Sequence, residues 1–258
     1  MLKLSNDTGF IRWKPVVVAV MIHGFLVSGI ALFSQHIEIG KSTYAWLGDD
    51  AMISMRYARN FVEGNGLCWN KGECVEGYSN FLWTVIMAFV HLIFPSGSTV
   101  VSVGVVLINV FVGVISLFVL YAVSFRLFDH SKGGHVDSKM WWAALLLGCS
   151  PQFAYWASSG FETSLLVLST TMCLLGLCTR RLWLTSLFLI VGILTREDYL
   201  IAVFSFMLGM FVARYRCSEG SFFLRRAMLW FALPFVAHFI HVVWRWHYYG
   251  DIVPNTYV

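Results

Sequence analysis

The sequence is short of charge. Only 12% of its 258 residues are Asp, Glu, Lys or Arg, about half of the ~25% usual in a soluble domain. That shortage excludes an ordinary water-facing enzyme surface. The 58% hydrophobic and 17% aromatic content excludes a disordered or fibrous chain. Also missing are a Gly-rich phosphate loop, a G-x-S-x-G elbow and a C-x-x-C pair, so nucleotide-binding, hydrolase and thiol-redox chemistries have no signature here. There is no internal repeat, low-complexity tract or inter-domain linker. The net charge of +4 is small, and its basic residues fall at the ends of apolar runs. That placement writes membrane topology and does not grip a phosphate backbone, so nucleic acid is not an expected partner.

What is abundant is apolar sequence. A crossing helix needs ~20 mostly apolar residues. The first run is Pro15–Ser34, behind Lys3, Arg12 and Lys14, and it reads as an anchor with a cytoplasmic N-terminus. Positions 35–80 hold six of the fourteen carboxylates and no apolar run, which predicts a large outer loop. Further runs are Phe81–Phe94, Val100–Phe125, Met140–Cys149, Thr163–Leu177, Leu182–Leu194, Tyr199–Ala213 and Ala227–Val243. The clusters Arg126/Lys132/Lys139, Arg180/Arg181 and Arg214/Arg216/Arg225/Arg226 belong on the cytoplasmic side by the positive-inside rule. Parity then requires one run not to cross. Phe81–Phe94, ended by Pro95-Ser96-Gly97-Ser98, is that run, an interfacial or re-entrant helix over 81–95. The expectation is an all-α, polytopic bundle of about seven crossings forming one domain over 1–258, its C-terminus outside.

On that topology four polar clusters share the outer face: Asp49-Asp50, Glu162, Arg196-Glu197-Asp198, and Tyr248-Tyr249-Gly250-Asp251 with Pro254-Asn255. Ionisable groups at a membrane boundary mark pathways or sites. Acids with one arginine suit a substrate carrying phosphate and hydroxyls. Asp49-Asp50 opens a predicted helix over Asp50–Glu63, where either acid can simply cap the free N–H groups. Asp49, Met52, Arg56, Arg59 and Glu63 share one face, while Ile53, Tyr57 and Phe61 form an apolar stripe expected to lie on the membrane.

Several blocks carry a resemblance. Residues 48–60 (GDDAMISMRYARN), Glu63-Gly64-Asn65-Gly66-Leu67 and Glu76-Gly77-Tyr78-Ser79-Asn80-Phe81-Leu82-Trp83 come first. Ser159-Gly160-Phe161-Glu162-Thr163, Thr195-Arg196-Glu197-Asp198 and Tyr248-Tyr249-Gly250-Asp251 with Pro254-Asn255-Thr256 follow in order. The pattern resembles bacterial GT-C membrane glycosyltransferases, nearest to the mycobacterial-type terminal β-(1→2)-arabinofuranosyltransferases, over about 15–258. The family usually runs on with more helices, so the chain matches the N-terminal part of its length. The family commonly has Pro where Glu197 stands.

The resemblance implies an enzyme of the bacterial inner membrane, its active site facing the periplasm. It would move a sugar from a polyprenyl-phosphate donor to a glycan or protein acceptor. Asp49 or Asp50 would be the base on the acceptor hydroxyl. A lipid phosphate is already a good leaving group, so no second acid is obligatory, and Arg196 or Arg56 would steady the phosphate. Arg59, Glu76, Tyr78, Asn80, Glu162, Asp198, Tyr249, Asp251 and Asn255 complete the expected donor and acceptor contacts.

Other readings stay open. Asp49-Asp50 can hold a divalent cation beside the donor phosphate if a third ligand joins them. Glu162 before an apolar run can be a helix cap. His23, His91, His238 and His241 read as inter-helix hydrogen bonders. A transporter or flippase for a lipid-linked or anionic solute, or a non-catalytic membrane subunit, explains outer charges equally well. Cys68 and Cys74, alone among the cysteines in the outer loop, flank the turn formers Asn70 and Gly72 and are expected to form a local disulfide, against the alternative of two free thiols.

Overall fold

The computed structural model describes residues 8–34, 36–39, 42–45, 47–94, 99–129, 141–217 and 221–255. For 8–13, 33–34, 36–39, 42–45, 128–129, 213–217 and 221–226 it describes the backbone alone. Lys3, Lys132, Lys139, Pro95–Ser98 and Thr256 lie outside the described residues, as do the side chains of Arg12, Arg214, Arg216, Arg225 and Arg226.

Ten helices follow one another among the described residues: α1 (Thr8–Ser34), α2 (Asp49–Val62), α3 (Phe81–Ile93), α4 (Thr99–Asp129), α5 (Trp142–Gly148), α6 (Pro151–Ser158), α7 (Thr163–Cys178), α8 (Leu182–Thr195), α9 (Leu200–Cys217) and α10 (Ser221–Tyr249). One antiparallel hairpin, β1 (His36–Ile39) with β2 (Ser42–Ala45), lies between α1 and α2 and pairs His36 with Ala45. The otherwise helical chain thus carries a short β-ribbon in its first loop.

Among the described residues three helices are long and apolar enough to cross a membrane, over Lys14–Leu32, Thr99–Leu127 and Ala227–Tyr249. A fourth candidate is α6 with α7, which pass together but meet at 119°. Helix length and composition support three or four of the seven expected crossings. The physical reason is visible at Cys149–Pro151. Ser150 caps α6 by accepting from the Phe153 N–H at 3.3 Å, and Pro151 takes the first helical turn. The run expected over Met140–Cys149 is consequently a seven-residue helix, only about 10 Å long.

Small residues set the close contacts. A Cβ on Gly48 would fall 2.7 Å from Phe161 Cζ, and one on Gly160, at φ +79°, 2.9 Å from Leu47. The start of α2 and the α6–α7 bend therefore interlock, fastened by Gly48 N–H donating to Ser159 O (2.9 Å) and Trp83 Nε1 donating to Gly160 O (2.8 Å). Helices α7 and α8 form a tight hairpin in which Cys173 and Thr185 exchange hydrogen bonds. Its turn places Arg180 at φ +55°, a left-handed conformation that costs a non-glycine residue about 1–2 kcal/mol.

The core is divided among these contacts. One cluster joins Leu47, Ala51, Met55 and Ala58 to Trp83, Met87 and Val105. Another packs Cys173, Leu189 and Ile193 against Tyr199, Val203 and Phe231. Phe25, Leu107, Phe111, Leu208 and Phe239 stay exposed on outward faces, as lipid-facing side chains do. The apolar stripe expected on α2 is divided too. Phe61 is exposed, but Tyr57 is buried at 1% beneath the 67–78 loop, where its hydroxyl donates to Val75 O at 2.7 Å. A phenol with a backbone acceptor is satisfied inside, so Tyr57 is a core residue and not a membrane contact.

Candidate active site

All four polar clusters converge at one end of the bundle. Asp49 and Asp50 occupy the first turn of α2, where the helix dipole favours negative charge. The residue before them, Gly48, takes the cap position in extended conformation and makes no side-chain cap bond. Both carboxylates are exposed, and neither has a hydrogen-bond or ion-pair partner among the described residues. They differ in direction. Asp50 lines a cleft of about 420 Å³, shared with Ile53, Tyr78, Asn80, Trp156, Glu162 and Arg196, whereas Asp49 does not.

The inner wall of the cleft is a chain of hydrogen bonds through buried groups. Asn80 accepts at Oδ1 from Ser54 Oγ (2.7 Å, on α2) and Thr84 Oγ1 (3.0 Å, on α3). Its amide then donates to Glu162 Oε2 at 3.0 Å. Glu162 stands at the N-cap position of α7, yet its side chain makes no cap bond. Its other oxygen accepts from Arg196 NH1 at 3.1 Å. Arg196 also grips Asp198 with two donors, at 3.1 and 2.9 Å. Those hydrogen bonds to Asp198, outweighing burial, raise the guanidinium pKa further. Arg196 therefore sits between two carboxylates of its own chain. Burial also lifts the Tyr78 phenol well above its usual value, which keeps it protonated.

A second arginine, which the sequence reading passed over, lies behind this wall. Arg245 on α10 is 2% exposed. Its Nε lies 2.6 Å from Glu76 Oε2, and it pairs with Glu197 on the other side. Burial pushes the Glu76 carboxyl up to about 7, with the pull of Arg245 opposing and the charge of Glu197 adding. The same corner ties α10 to the loop. Tyr249 Oη lies 3.1 Å from Tyr78 Oη and donates to Leu67 O (2.7 Å), while Leu67 N–H donates to Tyr248 Oη (3.0 Å). The Asn255 N–H donates to Glu76 O (2.9 Å). The available signal was an arginine inside the apolar run Ala227–Val243 and its aromatic extension.

The remaining expected site residues lie elsewhere. Arg56 donates to Trp69 O and Asn70 Oδ1 and covers the Trp69 ring at 4.0 Å. Arg59 pairs with Glu63. Neither lines the cleft, because both lie round α2 from the face of Asp50. Asp251 is exposed and Asn255 contributes backbone only. Cys68 and Cys74 are joined as a disulfide, Cα atoms 4.5 Å apart, across a turn bridged at Asn70 and Glu73. His23 is buried and stacks on Phe153, and His241 stacks on Trp244. Among the described residues no three His, Cys, Asp or Glu side chains converge to hold a metal ion.

Comparison with known proteins finds a short similarity. The chain is 39% identical over 51 residues to the terminal β-(1→2)-arabinofuranosyltransferase of Corynebacterium glutamicum, a stretch covering 20% of this chain and 7% of that protein. It is 40% identical over 42 residues to the enzyme of the same name from Mycobacterium tuberculosis, covering 16% of this chain and 7% of the relative. The likeness is to a glycosyltransferase, confined to one segment. No protein-family model matches the chain, and no solved structure does.

Proposed function

We propose that the chain is the membrane-embedded part of a GT-C-type glycosyltransferase. It would transfer a sugar, arabinofuranose being the candidate from the similarity, from a polyprenyl-phosphate donor to a cell-envelope acceptor. One observation carries the reading: Asp50, a carboxylate at a helix start with no partner among the described residues, shares a cleft with Arg196. In the proposed step Asp50 takes the proton of the acceptor hydroxyl. That oxygen bonds to the anomeric carbon, and the bond from the anomeric carbon to phosphate oxygen breaks, releasing the lipid phosphate as an anion. Asp198 holds the guanidinium of Arg196 in the bidentate geometry that phosphate also uses. Being exposed, Asp198 is the group a donor phosphate would displace. Glu162, fixed by Asn80, would keep Arg196 in place throughout.

The cleft lies at the opposite end of α7 from Arg180 and Arg181, which supports an outward-facing site by the positive-inside rule. The seven-crossing count belongs to the same reading, with α5 and α6 together making one passage and α3 remaining at the interface. The test is purified protein supplied with a polyprenyl-phosphate sugar and a glycan acceptor, without nucleotide sugar. Transfer that is lost in Asp50→Asn and kept in Asp49→Asn supports the assignment. Near-normal transfer in Asp50→Asn overturns it. Solute uptake without transfer would instead favour a transporter.

A further inference from the structure

We propose that the wedge between α7, α8 and α9, at the end of the bundle away from the cleft, binds an anionic phospholipid. The wedge is about 480 Å³, with walls of Leu174, Leu177, Leu182, Phe206 and Met210 and with Gly209 opening one side. Its origin is the divergence of α9. Near Thr195–Leu200 that helix is sealed to its neighbours, because Tyr199 lies against Gly192 and Val203 joins the Ile193–Phe231 cluster. Further along, Gly209 has open space where a Cβ would stand. An apolar slot in a membrane protein takes either an acyl chain or another helix. A cation at the end of the slot favours the acyl chain, whose headgroup carries a phosphate.

The rim selects the headgroup. Arg180 lines the wedge and is exposed, and Arg181 follows it, also exposed. Arg180 holds the left-handed position of the α7–α8 turn, where glycine would sit without strain. A cation kept in a conformation that disfavours it points to a role for that side chain at the turn. The arrangement is an apolar slot ending at a guanidinium, which is the shape of a phospholipid's chain and phosphate. The leaflet implied is the one opposite the cleft, and the inference stands independently of the proposed transfer reaction.

Native mass spectrometry of the full chain in detergent, titrated with phosphatidylglycerol or phosphatidylcholine of identical acyl chains, tests this. Wild type is expected to retain phosphatidylglycerol in preference to phosphatidylcholine. Gly209→Leu, which fills open space, should abolish retention of both. Arg180→Gln should weaken phosphatidylglycerol roughly tenfold, the loss of one charge-assisted contact, and leave phosphatidylcholine unchanged. Arg180→Gly serves as the second variant, since it relieves the turn while removing the charge, and it should match the glutamine. Equal affinity for the two lipids in wild type overturns the proposal. So does retention unchanged in Gly209→Leu, or a second copy of the chain occupying the wedge.

Discussion

Arg196 and Arg245 make the same contact in two settings. Each guanidinium is shared by two carboxylates, Glu162 with Asp198 and Glu76 with Glu197. The Arg196 side chain is 38% exposed and opens on the cleft, whereas the Arg245 side chain is 2% exposed and joins the loop to α10. The difference teaches where function can sit. An exposed arginine whose partner is solvated can exchange that partner for a ligand at little net loss. A buried one cannot, because removing either charge strands the other away from water. Asp50 lines a cleft with the first arginine and not the second.

The sharpest way to break this comparison is Asp50→Asn. Losing a positioned base is expected to lower transfer by about 10²–10⁴-fold, with Asp49→Asn little changed, and a donor-saturated rate assay reads it. Next, Arg245→Met should destabilise by about 3–5 kcal/mol by leaving Glu76 and Glu197 uncompensated, measured as loss of folded protein on heating in detergent. Arg196→Met should cost less stability, since Glu162 keeps its hydrogen bond from Asn80 and Asp198 is solvated, and impair donor use instead. If the two variants unfold alike, the distinction fails.

A smaller effect concerns pH. Glu76 is raised in the folded chain to about 7 from an ordinary 4.5. Its contribution is therefore complete below about 4.5 and lost as pH rises through 7, a drop on the order of 3 kcal/mol. Stability measured from pH 5 to 8 should fall in wild type and flatten in Glu76→Gln. The smallest effect belongs to Cys68–Cys74. Closing so short a loop contributes at most about 2 kcal/mol, so Cys68→Ser with Cys74→Ser should speed proteolysis near residues 65–75 and leave transfer intact. A non-reduced digest containing free thiols at both positions would remove the basis for that expectation.

Some of this was legible from residue order. The start of α2 is marked by two acids after a glycine and falls at Asp49. The bend between α6 and α7 is signalled by Ser159-Gly160, and the break before α6 by Ser150-Pro151. The arginine assignments were not legible. Arg56 and Arg196 look equivalent in sequence, each a cation near acids. Only the fold shows one stacked on Trp69 and the other facing Asp50. Helix length supports fewer crossings than the apolar runs suggest, because runs have no length of their own until caps divide them, as Ser150 does.

By itself the sequence determined that this chain belongs in a membrane, because burying so many apolar residues with so little charge has no other stable solution in water. It also determined which polar residues would be costly and hence worth watching. Tertiary structure alone decided their roles. Asn80 and Glu162 stand 82 positions apart, and Glu76 and Arg245 still further. Whether a carboxylate is a partner, a strut or a free base depends on what approaches it across the bundle, which no local pattern encodes.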